Sequence, residues 1–175
     1  MRNRQKGFSL IELLIVVAII LIIAAIAIPN LLRSRIAANE SSAVGALRTI
    51  VTSQVTYAVT YPLVGFASTL AALGPATGTP SSTTADLIDA ALASALKSGY
   101  VYGSAACTAA TCTGNGNFLV TTANGINVTF EIFASPAALN RTGLRNFCTN
   151  ESGVIRQGSA PGTACTNTTT SPPVG

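Results

Sequence analysis

Histidine is absent from all 175 residues. That excludes Ser-His-Asp and Cys-His nucleophilic sites and every metal centre built on imidazole. Charge is scarce too: 9% of the residues are Asp, Glu, Lys or Arg, where a typical soluble domain carries roughly 25%. Neither a charge-rich disordered chain nor an ordinary cytosolic enzyme surface fits that composition. Three of the 10 bases, Arg2, Arg4 and Lys6, precede residue 7, and the remainder sets seven bases against six acids. The pI of 9.1 therefore reports a short basic leader. A nucleic-acid partner would need Lys and Arg clustered on a folded face, and no specific nucleic acid is expected. With no C-x-x-C and no Asp-rich loop, neither a metal nor another cofactor is expected, and no catalytic residue stands out.

Four cysteines, Cys107, Cys112, Cys148 and Cys165, lie in the C-terminal half among Ser, Thr, Asn and Gly. An even count in such surroundings reads as disulfides, which persist in an oxidising compartment and imply export of this part of the chain. Four buried free thiols would be the alternative.

The amino terminus carries the strongest pattern. After MRNRQKG, the run from Phe8 to Ile28 holds 21 residues and a single charge, Glu12. As a helix it is about 31 Å long, close to the roughly 30 Å of bilayer hydrocarbon. The leading bases place its start in the cytoplasm and everything beyond Pro29 outside. A cleaved secretory signal could use Ala25-Ile26-Ala27, but Glu12 would then interrupt the apolar core and Pro29 would follow the cut closely. A plain single-pass anchor also leaves Glu12 unexplained, since an acid within the span costs about 2.5 to 3.5 kcal/mol on insertion scales.

Basic residues, Gly7, then Phe8-Ser9-Leu10-Ile11-Glu12 and an uninterrupted apolar helix to Pro29 resemble the class III signal of type IV pilins and of the pseudopilins of type II secretion. The resemblance implies that prepilin peptidase cuts between Gly7 and Phe8 and N-methylates Phe8. It further implies a single-pass inner-membrane prepilin with its N-terminus cytoplasmic and its head periplasmic. That store would feed a pilus on the cell surface or a periplasmic pseudopilus. The implied partners are identical or related pilin subunits, prepilin peptidase, the inner-membrane pilus or secretion assembly machinery, and the lipid bilayer before assembly. Once Phe8 is the terminus, its amine is a cation four residues before a carboxylate. Two opposite charges in an apolar layer tolerate burial mainly as a pair. Within one chain Glu12 would neutralise its own Phe8; between chains, as the family supports, it would meet the Phe8 amine of an incoming subunit and set the axial register.

Pro29 lacks an N–H and is expected to kink or locally melt the helix. The pattern then resumes, with Ile36, Ala43, Leu47, Ile50 and Gln54 near one face, until Pro62 and Gly65 stop it. Such a helix, Phe8 to Tyr61, measures about 80 Å, which a single globule does not need for its own core. Arg33, Arg35 and Glu40, just beyond the span, are expected to be solvated or paired between subunits.

From Pro62 to Ser82 the composition is that of a loop. Thr83-x-x-Asp86 resembles a capping box for a short helix ending near Gly99. Strands are expected at Tyr100–Tyr102, Phe118–Thr122, Ile126–Phe133, Asn146–Cys148 and Gly153–Arg156, with Asn124-Gly125 turning a hairpin. Tyr57, Tyr61, Tyr100 and Tyr102 serve as packing residues between helix and sheet. Five N-x-S/T triplets, at Asn39, Asn127, Asn140, Asn150 and Asn167, fit chance in a chain so rich in Asn and Thr. The resulting expectation is an α+β pilin fold: leader 1–7, transmembrane and assembly helix 8–29, amphipathic continuation 30–61 and globular head 62–175. The cysteines allow three pairings; Cys107 with Cys112 and Cys148 with Cys165 is the favoured set. The second pair resembles the disulfide-bounded C-terminal loop of many type IV pilins, with residues 166–175 left as a mobile end. The expected function is that of a structural filament subunit without catalysis, serving adhesion, motility or DNA uptake. The alternatives are a pseudopilin of type II secretion and a membrane-anchored binding domain that never polymerises. The lack of a calcium loop, which some pseudopilins carry, leans toward the pilin.

Overall fold

The computed structural model describes residues 8–104, 114–158, 165–166 and 171–174. Leader residues 1–7 with Gly7, and the expected Cys107–Cys112 pair, lie outside them. The chain divides into two compact units, Met1–Arg35 and Ile36–Gly175, and helix α1, Leu10–Thr60, belongs to both.

In the first unit every large apolar side chain from Phe8 to Leu32 is exposed, at 44 to 75%. A stretch of α1 there is long and apolar enough to cross a membrane. Pro29 sits inside α1 without interrupting it, so the local melting expected at this position does not occur. A proline removes one i to i−4 bond and frees one carbonyl, here that of Ala25. The apolar residues around it are good helix formers and the helix carries on through the defect.

In the second unit α1 turns a face of Ile36, Ala43, Leu47, Ile50 and Tyr57 into the core, the side the 3 and 4 spacing marks out. Against it lies a six-stranded antiparallel sheet built from β1 (Leu96–Lys97), β2 (Tyr100–Gly103), β3 (Leu119–Ala123), β4 (Ile126–Pro136), β5 (Phe147–Asn150) and β6 (Arg156–Gln157). The spatial order is β1-β2-β4-β5-β6, with β3 also paired to β4. The length of β4 makes this possible: Ile126 to Glu131 face β3, and Phe133 to Pro136 face β2. The architecture is α+β, the long apolar helix packing its later turns on a small antiparallel sheet.

Gln54 is fully buried on α1, where its Nε2 donates to the Ala67 carbonyl at 3.0 Å and its Oε1 accepts from the Ala67 N–H at 2.8 Å. One amide thus satisfies both backbone groups of a loop residue that has no ladder partner. At Gly65 φ is +78° and a side chain would collide with the Asn127 carbonyl, so the same loop needs glycine to reach β4.

The helix expected from Thr83 to Gly99 is replaced by shorter elements. The N–H groups of Ala85, Asp86, Leu87 and Ile88 donate to carbonyls of Ala72, Gly74 and Leu73, at the end of the short helix α2, Leu70–Leu73. Backbone donors spent on α2 cannot build a helix of their own, and Asp86 adopts φ +56°. The working N-cap is Asp89, which accepts from Leu92 N and opens the four-residue helix α3, Ala90–Ala93. Gly99 then serves in a turn with Ser98, at φ +71° and +50°, joining β1 to β2 through Lys97↔Tyr100. Positive φ at both central residues is the type I′ geometry that matches strand twist. Asn124 and Gly125, at +53° and +81°, make the second such turn where the dipeptide marks it.

Glu40 is not solvated. It is 6% exposed, and its Oε1 accepts from the N–H groups of Leu144 and Arg145 at 2.9 and 3.2 Å while Oε2 accepts from Arg145 Nε and Nη2 at 2.9 and 2.6 Å. Arg145 also donates to Gln157 and lies over the Phe147 ring. Cys148 and Cys165 form a disulfide, which removes loop-closure entropy worth about 3 kcal/mol from the unfolded chain. Beyond it the chain end is held: Gln157 N donates to the Pro172 carbonyl, Val174 N to Ile155, and Arg156 Nη1 to Ser171. Residues 171–174 are therefore a paired edge, and no free end.

Two predictions test this core. Removing one partner of a buried ion pair costs roughly 3 to 5 kcal/mol. Because the Arg145 side chain keeps 44% exposure and can rehydrate, Glu40→Ala is expected to cost about 3 kcal/mol and Glu40→Gln, which still accepts from the two amides, about half that, read from denaturation midpoints. The second concerns Tyr100 and Tyr102, fully buried, whose hydroxyls burial holds well above the ordinary 10.0, the Glu40 carboxylate adding to the effect on Tyr100 and that of Asp89 on Tyr102. Raised folded values mean stability that is intact below about pH 10 and falls as pH climbs past it, because only the unfolded chain ionises there. Tyr100 donates to the Arg145 carbonyl at 2.8 Å, whereas Tyr102 Oη has no partner among the described residues. At neutral pH Tyr100→Phe is expected to lose about 1 kcal/mol and Tyr102→Phe to lose nothing, and both to blunt the alkaline decline.

Candidate functional site

Among the described residues, Phe8, Ser9 and Glu12 sit at the start of α1. Ser9 immediately precedes the helix, and its carbonyl accepts from Leu13 N at 3.3 Å. Its own N–H donates to Glu12 Oε2 at 2.9 Å. Glu12, third residue of the helix, thus reaches back to the residue before the first turn, which is the acidic half of a capping box. A carboxylate in the first turn also opposes the positive end of the helix dipole. Reading Glu12 only as a partner for the Phe8 amine overlooks this local role. The signal was present in the sequence, since Ser9-x-x-Glu12 before an apolar run is the capping-box spacing.

The cap uses one carboxylate oxygen. Oε1 takes no hydrogen bond among the described residues, so it remains available to a cation. Phe8 is 75% exposed and stands one residue before the cap, on the entry side of the helix. Glu12 therefore combines a backbone bond that fixes its orientation with a second oxygen that takes no hydrogen bond among the described residues. Pro29 lies about 26 Å along the helix from Glu12 at the standard rise and takes no direct part in this end.

In the head, the Cys148–Cys165 disulfide joins β5 to the segment beyond β6. An open groove of about 360 Å³ runs along α1 between Ala37 and Arg48 and is walled by Phe147 and Val174. Among the described residues no group of three or more Cys, Asp or Glu side chains is arranged to hold a metal ion. Two of the N-x-S/T amides are engaged in the fold, Asn39 Nδ2 donating to Thr142 and Asn127 Nδ2 to Phe66, each at 2.8 Å.

Replacing Glu12 separates its roles. Glu12→Ala is expected to free the Ser9 N–H and speed its amide exchange in micelles by roughly fivefold, equivalent to about 1 kcal/mol of cap energy. Glu12→Gln keeps an acceptor oxygen and is expected to leave that exchange near the original rate.

Comparison with known proteins bears on the same end of the chain. Residues 2–28 match the prokaryotic N-terminal methylation motif. The chain is 52% identical over 59 residues to the type IV wide pilus major component PilA4 of Thermus thermophilus, covering 34% of this chain and 44% of that protein. It is 48% identical over 54 residues to the type IV major pilin protein PilA of Myxococcus xanthus, covering 31% of this chain and 24% of that one. The matched segments span less than half the length of these relatives, and no solved structure matches. The chain thus matches the prokaryotic N-terminal methylation motif and is similar, over about a third of its length, to two type IV pilus proteins.

Proposed function

We propose that this chain is a structural subunit of a type IV pilus-like filament. In this reading prepilin peptidase cuts between Gly7 and Phe8, Phe8 is N-methylated, the subunit waits in the inner membrane with its head outside, and α1 then polymerises. The observation that carries the reading is the exposed apolar stretch from Phe8 to Leu32, headed by a methylation motif over residues 2–28. Apolar patches of that size are not left in water; lipid covers them in a stored subunit and like helices cover them in a fibre. Both curated relatives are named as major pilins, which favours a pilus over a secretion pseudopilus. No catalysis is assigned to the chain.

Assembly uses the free oxygen of Glu12. Cleavage would turn the Phe8 amide into an amine, a cation near neutral pH. An incoming subunit that supplies this amine to Glu12 Oε1 neutralises both charges without disturbing the Ser9 cap. Buried pairs of this kind are best attested as devices that specify register, so the pairing would fix how far one helix slides along the next.

The test is intact mass and N-terminal sequencing of filaments sheared from cells. The mature chain is expected to begin at methylated Phe8, and substitution of Gly7 to leave uncut chain in the membrane fraction. Glu12→Gln, which keeps the cap, is expected to be cut normally yet to enter filaments at least tenfold less, the equivalent of about 1.4 kcal/mol. Normal filaments from that variant would remove the charge pairing from the mechanism, while uncut chain recovered within filaments would remove the processing step.

A further inference from the structure

Arg33 and Arg35 are exposed and make no ion pair or side-chain hydrogen bond among the described residues. The next acid along the helix, Glu40, has both oxygens occupied by Arg145 and Leu144. Asp89 is held by Lys97 at 3.0 Å. Of the six acids, these two already have basic partners within the chain.

The charges on α1 bracket the apolar run. Between Glu12 and Arg33 lie 20 consecutive residues without a charge, Leu13 to Leu32. Their helical length is about 30 Å, the thickness of the hydrocarbon layer. With Glu12 at the inner headgroup level, Arg33 emerges at the outer one. Arg33 and Arg35 are two residues apart and so point to nearly opposite sides of the helix. A side chain on each flank cannot clasp one ligand together, but each can reach a different lipid. A guanidinium presents a planar fork that matches phosphate and stays charged, and arginines at the ends of a span extend toward the interface.

We propose that Arg33 and Arg35 form a two-sided collar that binds phosphate groups of the outer leaflet and holds the helix at the depth where Glu12 meets the inner headgroups. The proposal rests on the membrane-stored state described above and adds the ligand of two residues which that reading leaves unused. It assigns the collar to the stored subunit: drawing a subunit into a fibre must break two phosphate contacts, one on either flank. It also moves the acid out of the hydrocarbon in that state, so that Glu12 carries its full burial cost only when it enters the helical bundle.

The full chain, labelled with ¹³C at arginine Cζ, is placed in bilayers of phosphatidylethanolamine and phosphatidylglycerol in phosphate-free buffer. Dipolar dephasing of the Cζ signal by ³¹P reports guanidinium–phosphate contact. Cross-peaks between isoleucine methyls and acyl chains report insertion independently. The expected result is dephasing in the full chain and a loss of about half of it in R33Q/R35Q, the remainder arising from Arg2 and Arg4 at the inner leaflet. Methyl–acyl cross-peaks without such a loss would overturn the collar and leave the membrane reading standing. Absence of the cross-peaks themselves would overturn both. Contact of Arg33 or Arg35 with a carboxylate of a second copy, in place of phosphate, would overturn the collar in favour of pairing between subunits.

Discussion

One helix has to satisfy two environments, and this constraint shapes everything else in the molecule. From Ile36 onward α1 buries a regular face against the sheet; over Phe8 to Leu32 it offers apolar side chains in every direction. An amphipathic stripe belongs to a helix with one neighbour, and an all-round apolar surface to a helix surrounded on all sides. Hydrogen bonding follows the same division. The early segment closes its backbone bonds internally except at the Ala25 carbonyl opposite Pro29, whereas the later one carries Gln54, Tyr57 and Glu40, whose polar atoms find backbone groups of the head.

The Glu40 interaction shows how the head grips the helix. Four donors converge on one carboxylate, two of them backbone amides of the chain leading into β5. Arg145 continues the chain of contacts to Gln157 on β6 and across the Phe147 ring. A single acid on α1 therefore fixes where two strands lie, and charge-assisted bonds in a largely desolvated position are directional as well as strong. Apolar packing by Leu47 and Ile50 supplies stability without orientation; the carboxylate supplies the orientation.

Local patterns were legible in the sequence where they were complete within a few residues. The 3 and 4 spacing from Ile36 to Gln54 gave the buried face of α1, and Asn124-Gly125 gave its hairpin. Glu40 was not legible, because its partner lies 105 positions away and nothing in its neighbours distinguishes a buried acid from a solvated one. The segment from Thr83 to Ile88 misled for a related reason: its helix-start spacing is sound locally, but α2 claims the same backbone donors. Ser9-x-x-Glu12 was legible as a cap, because both partners of its bond lie within four residues. Over the described residues, the Cys148–Cys165 link is the one that the resemblance to the disulfide-bounded loop of type IV pilins led one to expect.

The held end of the chain bears on how such heads can associate. β6 is the last strand of its side of the sheet, and what lies outside it is Pro172-Pro173, bridged to Arg156. Neither proline has an N–H to offer to another strand. An unguarded outer strand templates edge-to-edge stacking, a fault to which the filament subunit proposed above would be acutely exposed. The diproline, held against β6 beyond the Cys148–Cys165 link, acts as a terminator of sheet growth at that edge.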